Sequence, residues 1–319
     1  MSSQAQVTTT KRAVNQMSDA TTSQSHDKGH HHGPNHDYHL LDPSVWPLFC
    51  SIAALVLFVS LTGLLEGTDA FSIKVPFTGI ALVDIQSGVP FGLLTTISLL
   101  VLVFGMFGWW FDVIKESRQG DHKPVVQVGL RYGMLFFIAS EVMFFFAFFF
   151  AYFFYAVSEG YATAWPPSAV AALDMIHPFD LPLFNTVILL LSGTTVTWAH
   201  EAIRENKRGE FMVGLGVTVV LGIFFSLLQL VEYIEFGAGG FGLKTDVYTG
   251  VFYIATGFHG FHVLIGTLFL AFCWFRGLAG GHRPEKHFGF EAAAWYWHFV
   301  DVVWIFLFVA IYMGVFDRG

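Results

Sequence analysis

Seven apolar stretches, each long enough to cross a hydrocarbon core of ~30 Å, set what this chain can fold into. They run roughly over Trp46–Leu65, Phe91–Phe111, Gly129–Val157, Pro182–Ile203, Phe211–Phe236, Tyr248–Phe275 and Ala292–Val315. Inside a bilayer every backbone N–H and C=O must find a partner within the protein, so stretches of this length are expected as α-helices. The predicted class is therefore an all-α membrane protein with seven transmembrane helices. Composition agrees, because 54% of the chain is hydrophobic and only 13% is charged, too little charge to keep a soluble domain of this size in solution. The third stretch would be about 43 Å long at 1.5 Å per residue, so it is expected to tilt or to protrude.

The basic residues test the count. The N-terminal tail holds Lys11, Arg12 and Lys28, and the region after the second span holds Lys115, Arg118, Lys123 and Arg131. Arg204, Lys207 and Arg208 follow the fourth span, while Arg276, Arg283 and Lys286 follow the sixth. Thirteen of the 16 Lys and Arg thus fall on one side, leaving Lys74, Lys244 and Arg318 for the other. A wrong number of helices would scramble that alternation. By the positive-inside rule the N-terminus faces the cytoplasm or matrix and the C-terminus the opposite side.

The segments between spans carry less information. Residues 1–38 are polar and His-rich, lack the apolar core of a secretory signal, and read as a disordered cytoplasmic tail. His30, His31, His32, His36 and His39 have no neighbouring acid or Cys cluster to fix a metal geometry. Cys50 and Cys273 sit in apolar runs and read as small buried hydrophobes. The glycine-rich turn 237–244 indicates flexibility only, and no repeat of fixed period appears.

Ionisable groups at membrane depth are costly and need a reason. Glu141 lies in Ser-Glu-Val-Met-Phe-Phe-Phe, with Phe137, Ile138, Phe144 and Phe145 as its helical neighbours. It must be protonated, paired to another helix or hydrated. The sixth span offers His259 and His262 at similar depth, three residues apart on one face, with Gly257, Gly260 and Gly266 allowing close helix approach. The seventh adds His298 and Asp301, and Thr194, Thr195, Thr197 and His200 give the fourth a polar stripe. Three readings compete: interhelical hydrogen bonding for His259, His298 and Asp301, proton movement or titration at Glu141, and ligation of haem or metal by the histidines. The last needs imidazoles converging from different helices, and the spacing of His259 and His262 does not set both across one ring plane. No metal site is expected.

Several long motifs resemble subunit III of cytochrome c oxidase. They are Trp109-Trp110-Phe-Asp-Val-Ile-Lys-Glu-Ser117, Gly129-Leu-Arg-Tyr-Gly-Met134 with Ser140-Glu141-Val-Met-Phe-Phe145, and Thr197-Trp-Ala-His200. Leu227-Leu-Gln-Leu-Val-Glu-Tyr233, Ala255-Thr-Gly-Phe-His-Gly-Phe-His-Val-Leu-Ile-Gly266 and Phe288-Gly-Phe-Glu-Ala-Ala-Ala-Trp-Tyr-Trp-His-Phe-Val-Asp-Val-Val-Trp304 complete the set. The likeness runs from about His39 to the C-terminus and leaves residues 1–38 unmatched.

That resemblance implies a subunit without redox centres, haem and copper being held by partner subunits. It implies subunit I as the main contact and subunit II in the same complex, with no nucleic-acid partner. It also implies a two-helix unit, 39–112, splayed from a five-helix bundle, 113–319, across a cleft filled by phospholipid. The expected role is support of proton uptake and of sustained O2 reduction coupled to proton pumping in aerobic respiration. Glu141 matches the family's buried carboxylate of the third helix. Trp109, Trp110, Lys115, Glu116, His122, His262 and Arg276 match or adjoin lipid-contacting positions, the Trp pair at headgroup depth and Arg276 poised for a phosphate. Relatives often carry an arginine after the Trp pair, where Phe111 stands here; Lys115 offers a partial replacement.

Quinol-oxidase and nitric-oxide-reductase relatives typically have five helices, so the first two spans favour the cytochrome c type. A transporter would show repeat symmetry and broken helices, and a free-standing haem protein would show a Soret band. The polar tail favours a bacterial plasma membrane over the mitochondrial inner membrane. The resemblance is also compatible with membership of a larger respiratory assembly.

Overall fold

The computed structural model describes residues 44–66, 70–74, 81–86, 91–120, 124–158, 165–167, 177–243, 245–281 and 287–314. The His-rich tail and His122 lie outside them. Seven helices are long and apolar enough to cross a membrane. They are α1 (Trp46–Glu66), α2 (Phe91–Gln119), α3 (Pro124–Val157), α4 (Leu181–Arg204), α5 (Arg208–Ala238), α6 (Val247–Leu278) and α7 (Phe288–Leu307), the last prolonged by one π-helical turn, Phe308–Tyr312. The all-α class and the seven spans hold. One element was not legible beforehand: β1 (Ala70–Lys74) and β2 (Ala81–Gln86) pair antiparallel between α1 and α2, with Ala70 opposite Gln86 and an irregularity at Ile73/Lys74.

Several helices outrun the apolar stretches that announced them. α2 continues two turns past Phe111 to Gln119, and α3 begins at Pro124, where proline's fixed φ suits a first helical position. Hydropathy marks where a helix enters lipid, not where it ends, and charged residues are tolerated once the helix has left the hydrocarbon. The start of α6 shows a local signal instead. Asp246 caps it in a reciprocal box with Thr249, each side chain accepting from the other's end of the turn.

The described residues divide into two compact units, one within 1–123 and one within 124–319. In the first, α1 and α2 form an antiparallel pair packed through small residues. A Cβ at Gly108 would run into the Trp46 indole, and one at Gly105 into Phe49 and Cys50. The Trp46 Nε1–H donates to Asp112 Oδ2 at 2.6 Å, tying the first turn of α1 to the far part of α2. Leu55, Phe58, Phe104 and Phe107 remain exposed, as expected of lipid-facing surface.

In the second unit α7 is the axis: 67% of its span is buried, against 6% for α3. Its indoles are anchored on α4, Trp297 donating to Ser192 Oγ and Trp304 to Thr186 Oγ1, each at 2.9 Å. Gly222 of α5 and Gly266 of α6 flank the Trp297 ring so closely that a Cβ on either would approach it to 2.8 Å. Both cysteines are buried and neither forms a disulfide.

Candidate functional site

α3 touches the rest of its unit through a narrow face carrying Phe145, Tyr152 and Ala156. Among the described residues, the following polar contacts fasten it. Arg131 reaches Glu291 in the first turn of α7 through Nε and Nη2, at 3.0–3.2 Å. Glu141 Oε2 lies 3.0 Å from His262 Nε2 on α6. The Tyr152 hydroxyl donates to the Ala310 carbonyl at 2.9 Å. The last contact falls within the π turn, whose wider hydrogen-bond spacing disturbs the helical ladder locally.

The middle contact is the chemically informative one. Glu141 is seventeen residues from the start of α3 and sixteen from its end, and His262 is equally central in α6. The pair therefore sits near mid-span on both helices. His262 Nδ1 is 2.7 Å from the Phe258 carbonyl. A carbonyl only accepts, so Nδ1 carries a hydrogen and a neutral ring has a bare Nε2. The 3.0 Å contact then needs one proton between Nε2 and Glu141 Oε2. Either the carboxylic acid donates to imidazole, or imidazolium donates to carboxylate. The two states differ by one short proton transfer along a preformed line.

Aromatic rings wall this line. The Tyr296 ring stacks on the imidazole at 6.2 Å and 20°, and Phe145 meets it edge-on at 5.0 Å. Phe144 and Phe299 close further sides at 6.2 and 6.3 Å. The Glu141 side chain keeps 22% of its surface exposed against 9% for His262, so the carboxyl is the pair's open end.

A related arrangement occurs on α7. Thr197 donates to the Gly193 carbonyl at 2.9 Å, so its oxygen accepts from His298 Nε2–H at 3.2 Å. His298 Nδ1 faces Asp301 Oδ2 at 3.5 Å. Asp301 packs directly on Gly193, with no room between them for a Cβ. His259 differs. Its Nε2 donates to the Val300 carbonyl at 3.2 Å, and its ring lies 5.0 Å from Trp304, which makes it an interhelical strut.

The structure brings Glu141, His262 and Tyr296 together. Arg276 stands apart from them, fourteen residues beyond His262 on α6 and exposed. Trp109, Trp110 and Lys115 are exposed and Glu116 half-buried toward the C-terminal end of α2, in the other unit. Among the described residues, no group of three or more His, Cys, Asp or Glu is placed to hold a metal ion.

Sequence reasoning passed over two acids. Glu291 answers Arg131, a residue counted only as part of the charge ladder. Glu232 on α5 is 2% exposed and bonded to Gln229 and Tyr312. Its signal was available: an acid and an amide three residues apart in an otherwise apolar run.

These features define the class, a polytopic membrane protein whose bundle holds acid–imidazole pairs near mid-span. The particular family follows from comparison with known proteins. The family model for cytochrome c oxidase subunit III matches residues 36–315. Cytochrome c oxidase subunit 3 of Prototheca wickerhamii is 47% identical over 280 residues, covering 87% of this chain and 97% of that protein. Those of Cyprinus carpio and Tetraodon nigroviridis are 45% and 44% identical over the same shares. The chain belongs to the cytochrome c oxidase subunit III family. It is an integral membrane subunit of that oxidoreductase complex.

Proposed function

We propose that this chain is a non-redox core subunit that binds subunit I, alongside subunit II, and supports proton uptake and sustained turnover of O2 reduction. The observation that carries the proposal is the single proton required between Glu141 and His262, at mid-span and behind an aromatic wall. A carboxyl that is partly open, backed by an imidazole fixed in one tautomer, accepts and returns a proton without moving its backbone. Haem and copper belong, on this reading, to the partner subunits.

Structural phospholipid is the second ligand class. Trp109 and Trp110 offer indoles at headgroup depth, with Lys115, Glu116, His122 and Arg276 as polar neighbours. His262 matches the same set, although both its nitrogens are engaged within the protein. The charge ladder supports an N-terminus on the cytoplasmic or matrix side, and the polar composition of the tail favours a bacterial plasma membrane.

The test is Glu141→Gln in the purified oxidase, measuring subunit content, initial turnover, proton uptake and activity lifetime. The amide can donate to His262 Nε2 but holds no transferable proton. Retained subunit and initial rate, with slowed proton uptake or a shorter lifetime, is the expected result. Unchanged uptake and lifetime would overturn the role of the pair, and loss of the subunit would overturn its separation from assembly.

A further inference from the structure

Another buried acid, Glu232, lies toward one end of the bundle, away from the mid-span Glu141 pair. Glu232 lies six residues before the end of α5, Tyr312 is the last residue of the π turn, and Asn185 is four residues into α4. All three therefore belong to one end of the unit. Gln229 Nε2 donates to Glu232 Oε2 at 2.6 Å, and the Tyr312 hydroxyl donates to the same oxygen at 3.1 Å.

Asn185 is brought to this level by register. α4 and α5 run antiparallel with the Thr195 and Thr218 hydroxyls 2.8 Å apart. Ten residues back along α4 and eleven forward along α5 reach Asn185 and Gln229, at matching rise. Asn185 also shares the face of Ser192, two turns on, which addresses α7 through Trp297.

The hydrogen-bond inventory does not close. Glu232 Oε1, Gln229 Oε1 and both Asn185 side-chain polar atoms are buried and have no partner among the described residues. Asn185 is 0% exposed, Gln229 4% and Glu232 2%. That leaves three oxygens seeking donors and one amide nitrogen seeking acceptors. A buried polar atom left unpaired is strongly unfavourable, so four at one level of the bundle call for a species that both donates and accepts. Water does both, and three or four polar partners are what an internal water requires. An ionised Glu232 would add a buried charge with no ion pair among the described residues. A hydrogen on Oε1 removes the charge and supplies a missing donor.

We propose that Asn185, Gln229, Glu232 and Tyr312 form a proton-holding site, in which Glu232 is an uncharged carboxylic acid donating through Oε1 to internal water. Tyr312 and Gln229 fix Oε2, which leaves Oε1 as the exchanging face. The π turn sets the end of α7 so that Tyr312 reaches Glu232.

The experiment is infrared spectroscopy of purified oxidase containing this chain, comparing wild type with Glu232→Gln in H2O and in D2O. Loss of one carboxylic-acid C=O band in the variant, with that band downshifted in D2O, is expected. If no acid band is lost, Glu232 is ionised and the proposal fails. If the band is lost but is unmoved by D2O, the acid is dry and the water site fails. Tyr312→Phe guards against a variant that does not assemble. It keeps the acid, removes one donor to Oε2 and should shift the same band to higher frequency; no shift would overturn the assignment.

Discussion

Phe258 and Glu141 claim the two nitrogens of one imidazole: the Phe258 carbonyl binds Nδ1 of His262 at 2.7 Å, and the Glu141 carboxyl binds Nε2 at 3.0 Å. The first bond fixes the tautomer, and the second inherits the consequence. Glu141→Leu leaves Nε2 bare and should cost about 1–3 kcal/mol, the usual penalty for an unpaired buried acceptor. Glu141→Gln should cost little, because its amide donates. Hydrogen–deuterium exchange along α3 checks this, with faster exchange expected around Phe137–Phe145 in Glu141→Leu alone.

Arg131 and Glu291 form the second fastening of α3. Arg131 is 42% exposed, so solvent screens the pair and its coupling should stay within about 0.2–1 kcal/mol. A double-mutant cycle with Arg131→Met and Glu291→Gln, read by thermal unfolding in detergent, measures it. A coupling of several kcal/mol would mean the site is far drier than its exposure indicates.

Gly193 should tolerate no side chain. Gly193→Ala places a methyl where the Asp301 carboxyl lies, and overpacking of this kind typically costs about 1–3 kcal/mol. Gly129→Ala, where a Cβ meets nothing within 4 Å, is the control and should leave the unfolding temperature unchanged or raised.

The turn joining α4 to α5 should loosen with acid. The Lys207 ammonium, 2.7 Å away, holds the exposed Glu205 carboxyl below its usual value of 4.5. A depressed carboxyl contributes stability above its unfolded value and loses it as pH falls through the folded one. Amide exchange at 205–207, corrected for its intrinsic pH dependence, should be flat through neutrality and quicken only below about pH 4.5. Lys207→Ala should move the onset upward.

The seven spans and the charge alternation were legible because the bilayer imposes them on composition directly. Glu141 was legible as an anomaly, since four apolar helical neighbours left it no local partner. Its pairing was only narrowed, to a histidine on the sixth span, because helix order in the chain does not fix which faces meet. Glu232 escaped notice inside a motif valued for resemblance rather than for the acid it contains. The β1–β2 hairpin escaped for another reason. Its strands are only five and six residues long and lie in the connection between two spans, where hydropathy carries no signal for them. Helix ends were displaced wherever polar residues prolonged a helix beyond lipid, as at Gln119.

The burial of α7 bears on synthesis. It is the last of the seven spans to leave the ribosome, yet it supplies Trp297 and Trp304, the indoles around which α4, α5 and α6 close. Until it arrives, the glycine surfaces of α5 and α6 face an unfilled seam, and Ser192 and Thr186 lack their donors. The five-helix unit therefore consolidates from its end rather than its beginning. A chain stopped before Phe288 should be a target for membrane quality control instead of a shorter working subunit.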